Sequence, residues 1–183
     1  MQRRGLRPTF SRARGFTLVE LLVVLSVFAI LLGLAAPSFM SIIANNRVAS
    51  AANDIITVLN LGKSEAVRSG QTVVLCKRAS DSACDTDAST DWSNGWILFV
   101  DSVSNNQIDD GERIVRLQPA TEESLDVAYK GNDNKAINFN PNGRTGATGH
   151  FCLRNTHDDN KSRAVVVNIA ARFHIEEQPY DCN

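Results

Sequence analysis

The sequence has no G-x-S-x-G, no H-E-x-x-H and no phosphate-binding P-loop, and its three histidines, His150, His157 and His174, stand near no obvious nucleophile. Without a constellation of the required kind an enzymatic function is not expected. A C-x-x-C pair is missing too, and no histidine falls at zinc-ligand spacing from Cys76, Cys84, Cys152 or Cys182. No metal and no cofactor are expected on that basis. Internal repeats and low-complexity segments are absent, and the two tryptophans, Trp92 and Trp96, flank a turn where packing is the ordinary role. Net charge is only −1 over 183 residues, which does not suggest a dedicated nucleic-acid binder.

That near-neutral balance hides an asymmetry. Arg3, Arg4, Arg7, Arg12 and Arg14 all precede residue 16, and without them 14 basic residues face 20 acidic ones, a net of −6 for the remainder. Residues 16–36, FTLVELLVVLSVFAILLGLAA, follow at once as an apolar run. A helix of that length spans about 31 Å, the thickness of the hydrocarbon core of a bilayer. The arginine cluster holds the N-terminal side in the cytoplasm and leaves everything beyond Pro37 on the other face. An exported body with four cysteines is expected to carry disulfides, since thiols pair in oxidising compartments.

A secretory signal peptide also starts basic and turns apolar. Glu20 argues against it, because a carboxylate inside the apolar run costs on the order of a few kcal/mol unless it finds a partner. The small-residue stretch Leu34-Ala35-Ala36 leads directly into Pro37, a poor position for signal peptidase.

The junction Arg14-Gly15-Phe16-Thr17-Leu18-Val19-Glu20-Leu21-Leu22 resembles the class III leader of type IV pilins and type II secretion pseudopilins. The resemblance implies that prepilin peptidase cuts after Gly15 and methylates Phe16. It also implies that Glu20 meets the N-terminal amine of a neighbouring subunit during assembly. A carboxylate in hydrocarbon is tolerable when so paired.

Beyond Pro37 apolar residues return at steps of three and four, Phe39, Ile42, Ile43, Ala52, Ile55, Ile56, Leu59, Ala66 and Val67, with polar residues between them. This predicts an amphipathic helix ending at Ser69-Gly70. Glycine and proline at 33 and 37 are its weak points. From Thr72 the period changes to strands over 72–77, 95–101, 112–118, 125–130, 136–140, 149–154 and 163–169, joined by turn-rich pieces. The expected fold is α+β and pilin-like: a long N-terminal helix, membrane-spanning in its first half, packed against an antiparallel β-sheet head. Its parts are a leader (1–15), a transmembrane and assembly helix (16–37), an amphipathic helix (38–68) and a β-rich head (69–183).

Ser64-Glu65-Ala66, Val73-Val74-Leu75-Cys76, Asn94-Gly95-Trp96-Ile97-Leu98-Phe99-Val100-Asp101, Asp110-Gly111-Glu112 and Phe139-Asn140-Pro141-Asn142-Gly143-Arg144 extend the likeness. They are similar to the FimT/FimU/GspH group of minor pilins and minor pseudopilins. By this resemblance the chain is a minor pilin, a filament subunit that helps initiate a pilus serving twitching, adhesion or DNA uptake. The alternative is a GspH-type minor pseudopilin of type II secretion, and the cysteine-bearing head is closer to the pilus branch. The implied partners are other major and minor pilins, prepilin peptidase, the inner-membrane assembly platform and, before assembly, membrane lipid. The implied location is the inner membrane as a single-pass protein with a periplasmic head, then the pilus and cell surface.

Some FimT-like minor pilins capture DNA through a Gly-Arg-x-Arg element near the C-terminus. The matching place reads Ala171-Arg172-Phe173-His174, with Arg172 retained and Glu176 and Glu177 just after it. DNA binding through Arg172 is therefore expected to be weak. Residues 101–112 overlay a calcium loop at positions 1, 5, 9 and 12, but Val103 cannot ligate and Asn106 stands where the loop needs glycine. A hairpin turn rich in Asn and Asp is the expected structure. The expected disulfides are Cys76 with Cys84, closing a short loop, and Cys152 with Cys182, tying the tail to the sheet.

Overall fold

The computed structural model describes residues 15–87, 89, 91–133 and 135–177, without the side chains of 34–38 and 158–160. The chain divides into two compact units, residues 1–40 and 41–183. A single helix, α1 (Leu18–Ser69), contributes to both and stays helical through Gly33 and Pro37. Its start is capped by Thr17, whose Oγ1 accepts the Glu20 N–H at 3.2 Å. Its end is set by Gly70, which takes φ 67° and donates its N–H to the Ala66 carbonyl at 3.0 Å. Only glycine adopts that left-handed cap without strain.

In the second unit α1 buries Ala44, Val48, Ala51, Ala52, Ile55, Val58, Leu59 and Ala66. Alanine and glycine dominate one flank of this stripe, so sheet side chains come close to the helix backbone. A Cβ on Gly62 would stand 2.6 Å from the Phe139 ring and 3.0 Å from Leu98. The stripe read from the sequence is partly corrected: Phe39, Ile42, Ile43 and Val67 are exposed, and Val48, Ala51 and Val58 take their places in the buried set.

The strands are β1 (Thr72–Ser80), β2 (Ala83–Cys84), β3 (Trp96–Asp101), β4 (Ile114–Gln118), β5 (Leu125–Gly131), β6 (Ala136–Phe139), β7 (Gly149–Asn155), β8 (Asp158–Val167) and β9 (Phe173–Glu177). They form two antiparallel sheets where one was expected. The first has the order β2-β1-β3-β4, with β6 paired to β1 along Val73 to Cys76; the second has the order β5-β7-β8-β9. β2 and β9 fall outside the strand ranges read from the sequence, although His174 alternates with apolar residues as in a strand. β2 is only two residues long, and β9 begins within the segment aligned with the Gly-Arg-x-Arg loop.

In the first sheet β1 and β3 are buried on both faces. Val73, Leu75 and Leu98 join the core beneath α1, while Val74, Cys76, Ile97 and Phe99 form a second cluster with Cys84 and Ala136. Ile108 and Leu117 pack against that cluster from outside. Burial on both faces explains why 73–76 and 96–100 read as continuous apolar runs rather than alternating ones. The second sheet contributes Val127, Tyr129, Phe151, Leu153, Val165 and Val167 to the main core. Trp92 stands edge-on to Phe151, with ring centroids 5.1 Å apart, and holds the loop before β3 against that sheet.

Candidate functional site

The first unit concentrates the chemistry expected of an assembly element. Thr17-Leu18-Val19-Glu20 has capping-box spacing, so Glu20 stands in the first helical turn, where a carboxylate complements the helix dipole. From Leu18 to Leu32 every leucine, valine, isoleucine and phenylalanine is between 51% and 74% exposed, on all sides of the helix. Ser26 returns its hydroxyl to the Val23 carbonyl at 2.8 Å and so presents no unmet polar group. Glu20 is the one charged side chain of this stretch, and it is exposed. Phe16, 80% exposed, precedes the helix, and open space surrounds the Cα of Gly15. A helix apolar all round needs an apolar surrounding, supplied by lipid or by other helices.

Among the described residues no helix is long and apolar enough to cross a membrane.

In the head, Cys76 and Cys84 form a disulfide across β1 and β2. Cys152 is disulfide-bonded as well; Cys182, the partner expected for it, lies outside the described residues. Beside the first bridge Lys77 is buried, with its ammonium donating to the Asp87 carboxylate, to the Asp87 carbonyl at 3.1 Å and to the Ser89 carbonyl at 3.2 Å. The Lys77 hydrogen bond, aided by Ser89, holds the Asp87 carboxyl down at about 2. Nothing in the sequence marks this lysine as internal except its place directly after Cys76 in a buried strand.

Glu65 is another buried charged residue, besides Asp101 of the loop below. It receives Arg68 at 2.7 Å and also Arg113, and these two hydrogen bonds lower its pKa despite burial. Arg113, just before β4, thereby ties that strand to the end of α1.

The loop over 101–112 is held by its own carboxylates and by Asn138 of β6, which donates to the Asn106 Oδ1 at 2.8 Å. Asp101 accepts the backbone N–H groups of Ser104 at 2.5 Å and Asn106 at 2.9 Å. Glu112 accepts the Ser102 N–H at 2.7 Å and the Asp109 N–H at 3.2 Å; burial raises its pKa, and these N–H groups outweigh it to leave a net lowering. The two terminal carboxylates of the loop are thus committed to its backbone.

Arg172 is exposed at the turn before β9, and the fold gives it company that sequence order hides. Lys63 of α1 donates to the Ala171 carbonyl at 3.0 Å. The Thr145 N–H donates to the Ile169 carbonyl at 3.1 Å, which brings exposed Arg144 to the same corner. Glu177 pairs with Arg163 and Glu176 with His174, so the acids that follow Arg172 are directed to other partners. Arg154 pairs with Asp126 at 2.7 Å and takes no part in the corner.

His150, in β7 opposite Lys130, has its pKa lowered by burial and then by that lysine. His157 lies at the β7–β8 turn, its N–H donated to Asn155.

Residues 51–171 match the family described as type II transport protein GspH, and residues 10–36 match the prokaryotic N-terminal methylation motif. A stretch of 101 residues is 36% identical to the pilin-like protein PilA1 of Thermus thermophilus, covering 54% of this chain and 55% of the relative. The chain thus spans about half the length of that relative. The fold is similar to that of the type IV minor pilin FimU of Pseudomonas aeruginosa in two crystal structures, each with a TM-score of 0.53 and 18% identity. One similarity covers 70% of this chain and 91% of that one, the other 73% and 90%.

Proposed function

Because the chain belongs to the GspH family of type IV pilin-like proteins, we propose that it is a minor type IV pilin, a structural subunit and not an enzyme. The observation that carries this reading is the exposed, all-round apolar start of α1 with Glu20 in its first turn, directly behind the methylation motif. Such a surface has two stable surroundings, and the subunit passes from one to the other. It is held in the inner membrane by residues 16–37, then buried against the helices of other pilins on assembly. In the first state the leader before Gly15 awaits prepilin peptidase. In the second the amine of methylated Phe16 on one subunit offsets Glu20 on the next. The assembly platform moves the subunit between the two.

Glu20→Ala isolates this step. Removing the carboxylate makes the segment more apolar, so insertion is preserved. The head, whose core begins at Ala44, is untouched. The variant is expected in the membrane at wild-type level and to be depleted from sheared filaments. Recovery of the variant in filaments at wild-type stoichiometry would remove the pairing role.

The secretion reading draws support from the description of the matched family as a type II transport protein. Deleting the gene separates the two: loss of surface pili with intact protein secretion supports the pilus, and the reverse supports the secretion machine. For DNA, a body of net charge −6 with one small basic corner predicts binding on the order of 10⁻⁴ M or weaker at physiological salt.

A further inference from the structure

The described arginines of the head divide into two groups. Arg47, Arg68, Arg78, Arg113, Arg154 and Arg163 each pair with a carboxylate of this chain. The guanidinium groups of Arg116, Arg144 and Arg172 have no partner among the described residues, and all three residues are exposed. Exposed apolar side chains are as few. Beyond Ile43 the large ones among the described residues are Val67, Val103, Ile114 and Ile169, between 38% and 62% exposed.

Two of those arginines and two of those aliphatic residues come together at the corner described above. Lys63, donating to the Ala171 carbonyl at 3.0 Å, fastens the turn that carries Arg172 to α1. Val67 stands one turn further along the helix. A Cβ on Gly143 would touch it at 3.4 Å, so the turn that carries Arg144 lies against the helix as well. Ile169 accepts the Thr145 N–H at 3.1 Å, which joins the two turns. A shallow groove of about 690 Å³ runs along α1 beside them, lined by Asn60, Leu61, Lys63, Ser64, Val67 and Arg68. From Asn60 to Arg68 the helix rises about 12 Å, the length of a short extended peptide segment.

Whatever covers this surface must answer both features. Unpaired guanidinium groups bind carboxylates or phosphates in a two-pronged fork. Exposed aliphatic side chains rimmed by charge call for apolar side chains, the mark of a protein contact. A phosphate backbone answers only the first. Its affinity also grows with the number of free cations, here two, because Lys63 is already engaged. A second copy of this chain fits no better. Its acid-rich loop, 101–112, gives Asp101 and Glu112 to its own backbone and is fastened to β6 through Asn106 and Asn138. Contact between unlike patches of one chain would also run on from copy to copy, which a minor subunit does not do.

We propose that this corner docks an acidic, aliphatic-bearing segment of a different filament subunit, its carboxylates against Arg144 and Arg172 and its aliphatic side chains beside Val67 and Ile169. Charge steers the encounter and sets its register, and the aliphatic centre leaves water on contact. The groove along α1 takes the rest of the segment. Contact with one unlike neighbour is finite, as a minor subunit requires. That the partner is a filament subunit rests on the function proposed above; the chemistry of the surface does not. Failure of the docking therefore leaves leader cleavage and Glu20 pairing standing.

The test titrates the full chain, in a non-ionic detergent, against a fluorescent peptide of four Glu-Leu-Asp repeats. The comparison probes are Gln-Leu-Asn repeats, Glu-Ser-Asp repeats and a short DNA duplex. The wild type is expected to bind the first peptide at least about tenfold more tightly than any of these, and salt should weaken that binding. Arg144→Glu with Arg172→Glu, and separately Val67→Ser with Ile169→Ser, should each lose at least about tenfold. Arg116→Glu, on β4 and outside the corner, should bind as the wild type does. All five positions are exposed, and circular dichroism checks that the variants fold. In the host, the Arg144→Glu, Arg172→Glu chain should lose its leader normally, yet be recovered in sheared filaments at least about fivefold below the wild type. Leader cleavage in that chain reports the function proposed above, and its filament level reports the docking. A wild type that ignores the peptide, a corner variant that binds it unchanged, or that variant in filaments at wild-type level overturns the proposal. Tighter binding of the duplex than of the peptide overturns it in favour of a polyanion. Self-association of the wild type that the arginine variant abolishes overturns it in favour of a second copy.

Discussion

Gly62→Ala tests how α1 is seated on the head. In an exposed helix interior this change stabilises by about 1 kcal/mol, because glycine is the poorer helix former. Here the added methyl would lie 2.6 and 2.8 Å from two atoms of the Phe139 ring and 3.0 Å from Leu98. Neither neighbour can yield cheaply. Phe139 is fully buried between β6 and the helix and meets Phe173 edge-on at 6.3 Å, and Leu98 is fully buried in the middle of the first sheet. Forcing one extra methyl into such a site costs about 2 to 3 kcal/mol. Overpacking wins, and the net expectation is a loss of about 1 to 2 kcal/mol. Urea unfolding of residues 41–183, followed by tryptophan fluorescence, reads the change directly, with Ser64→Ala on the exposed face as the control that shifts by less than about 0.5 kcal/mol. A stabilised Gly62→Ala head would mean that α1 does not approach the sheets this closely.

Glu65→Gln keeps the size of the side chain but removes the charge that holds Arg68 and Arg113; because both arginines reach solvent, the loss should be about 1 to 2 kcal/mol rather than the full cost of an orphaned buried charge. Thermal or urea midpoints of the two proteins check it. Replacing Cys76 and Cys84 together by serine releases a short loop and should cost roughly 2.5 kcal/mol in the loop-entropy model, with protease cleavage appearing first within 81–91. His150 has a folded pKa below its ordinary 6.5, so its contribution is complete above pH 6.5 and is lost as pH falls below that value. Urea midpoints at about pH 7.5 and about pH 5.5 should show the decline, and His150→Gln should flatten it.

The N-terminal element was legible in the sequence because its signals are local: five arginines, an apolar run and one carboxylate within 36 residues. The capping role of Thr17 follows the same local logic, since Thr-x-x-Glu before an apolar run is a helix-start pattern. The head was legible in its strands but not in its sheets. Strand pairing is long-range, and 73–76 and 96–100, buried on both faces, offer no alternation from which to assign a face. β9 is marked only by the alternation of Phe173 and Ile175 with His174 and Glu176, a pattern too short to bound a strand at a sheet edge. The basic corner was illegible for the same reason of distance. Lys63, Arg144 and Arg172 meet only when a helix and two turns converge, whereas Arg154 and Arg163, equally visible in the sequence, are consumed by Asp126 and Glu177.

The central claim is that the apolar start of α1 is a processed assembly element, and the intact mass of the protein recovered from sheared surface filaments tests it most directly. The account predicts a chain of residues 16–183, with Phe16 at its N-terminus carrying one added methyl and the cysteines oxidised. A chain that retains residues 1–15, one that begins after Ala36, or the absence of the protein from filaments while it accumulates in the membrane would contradict it.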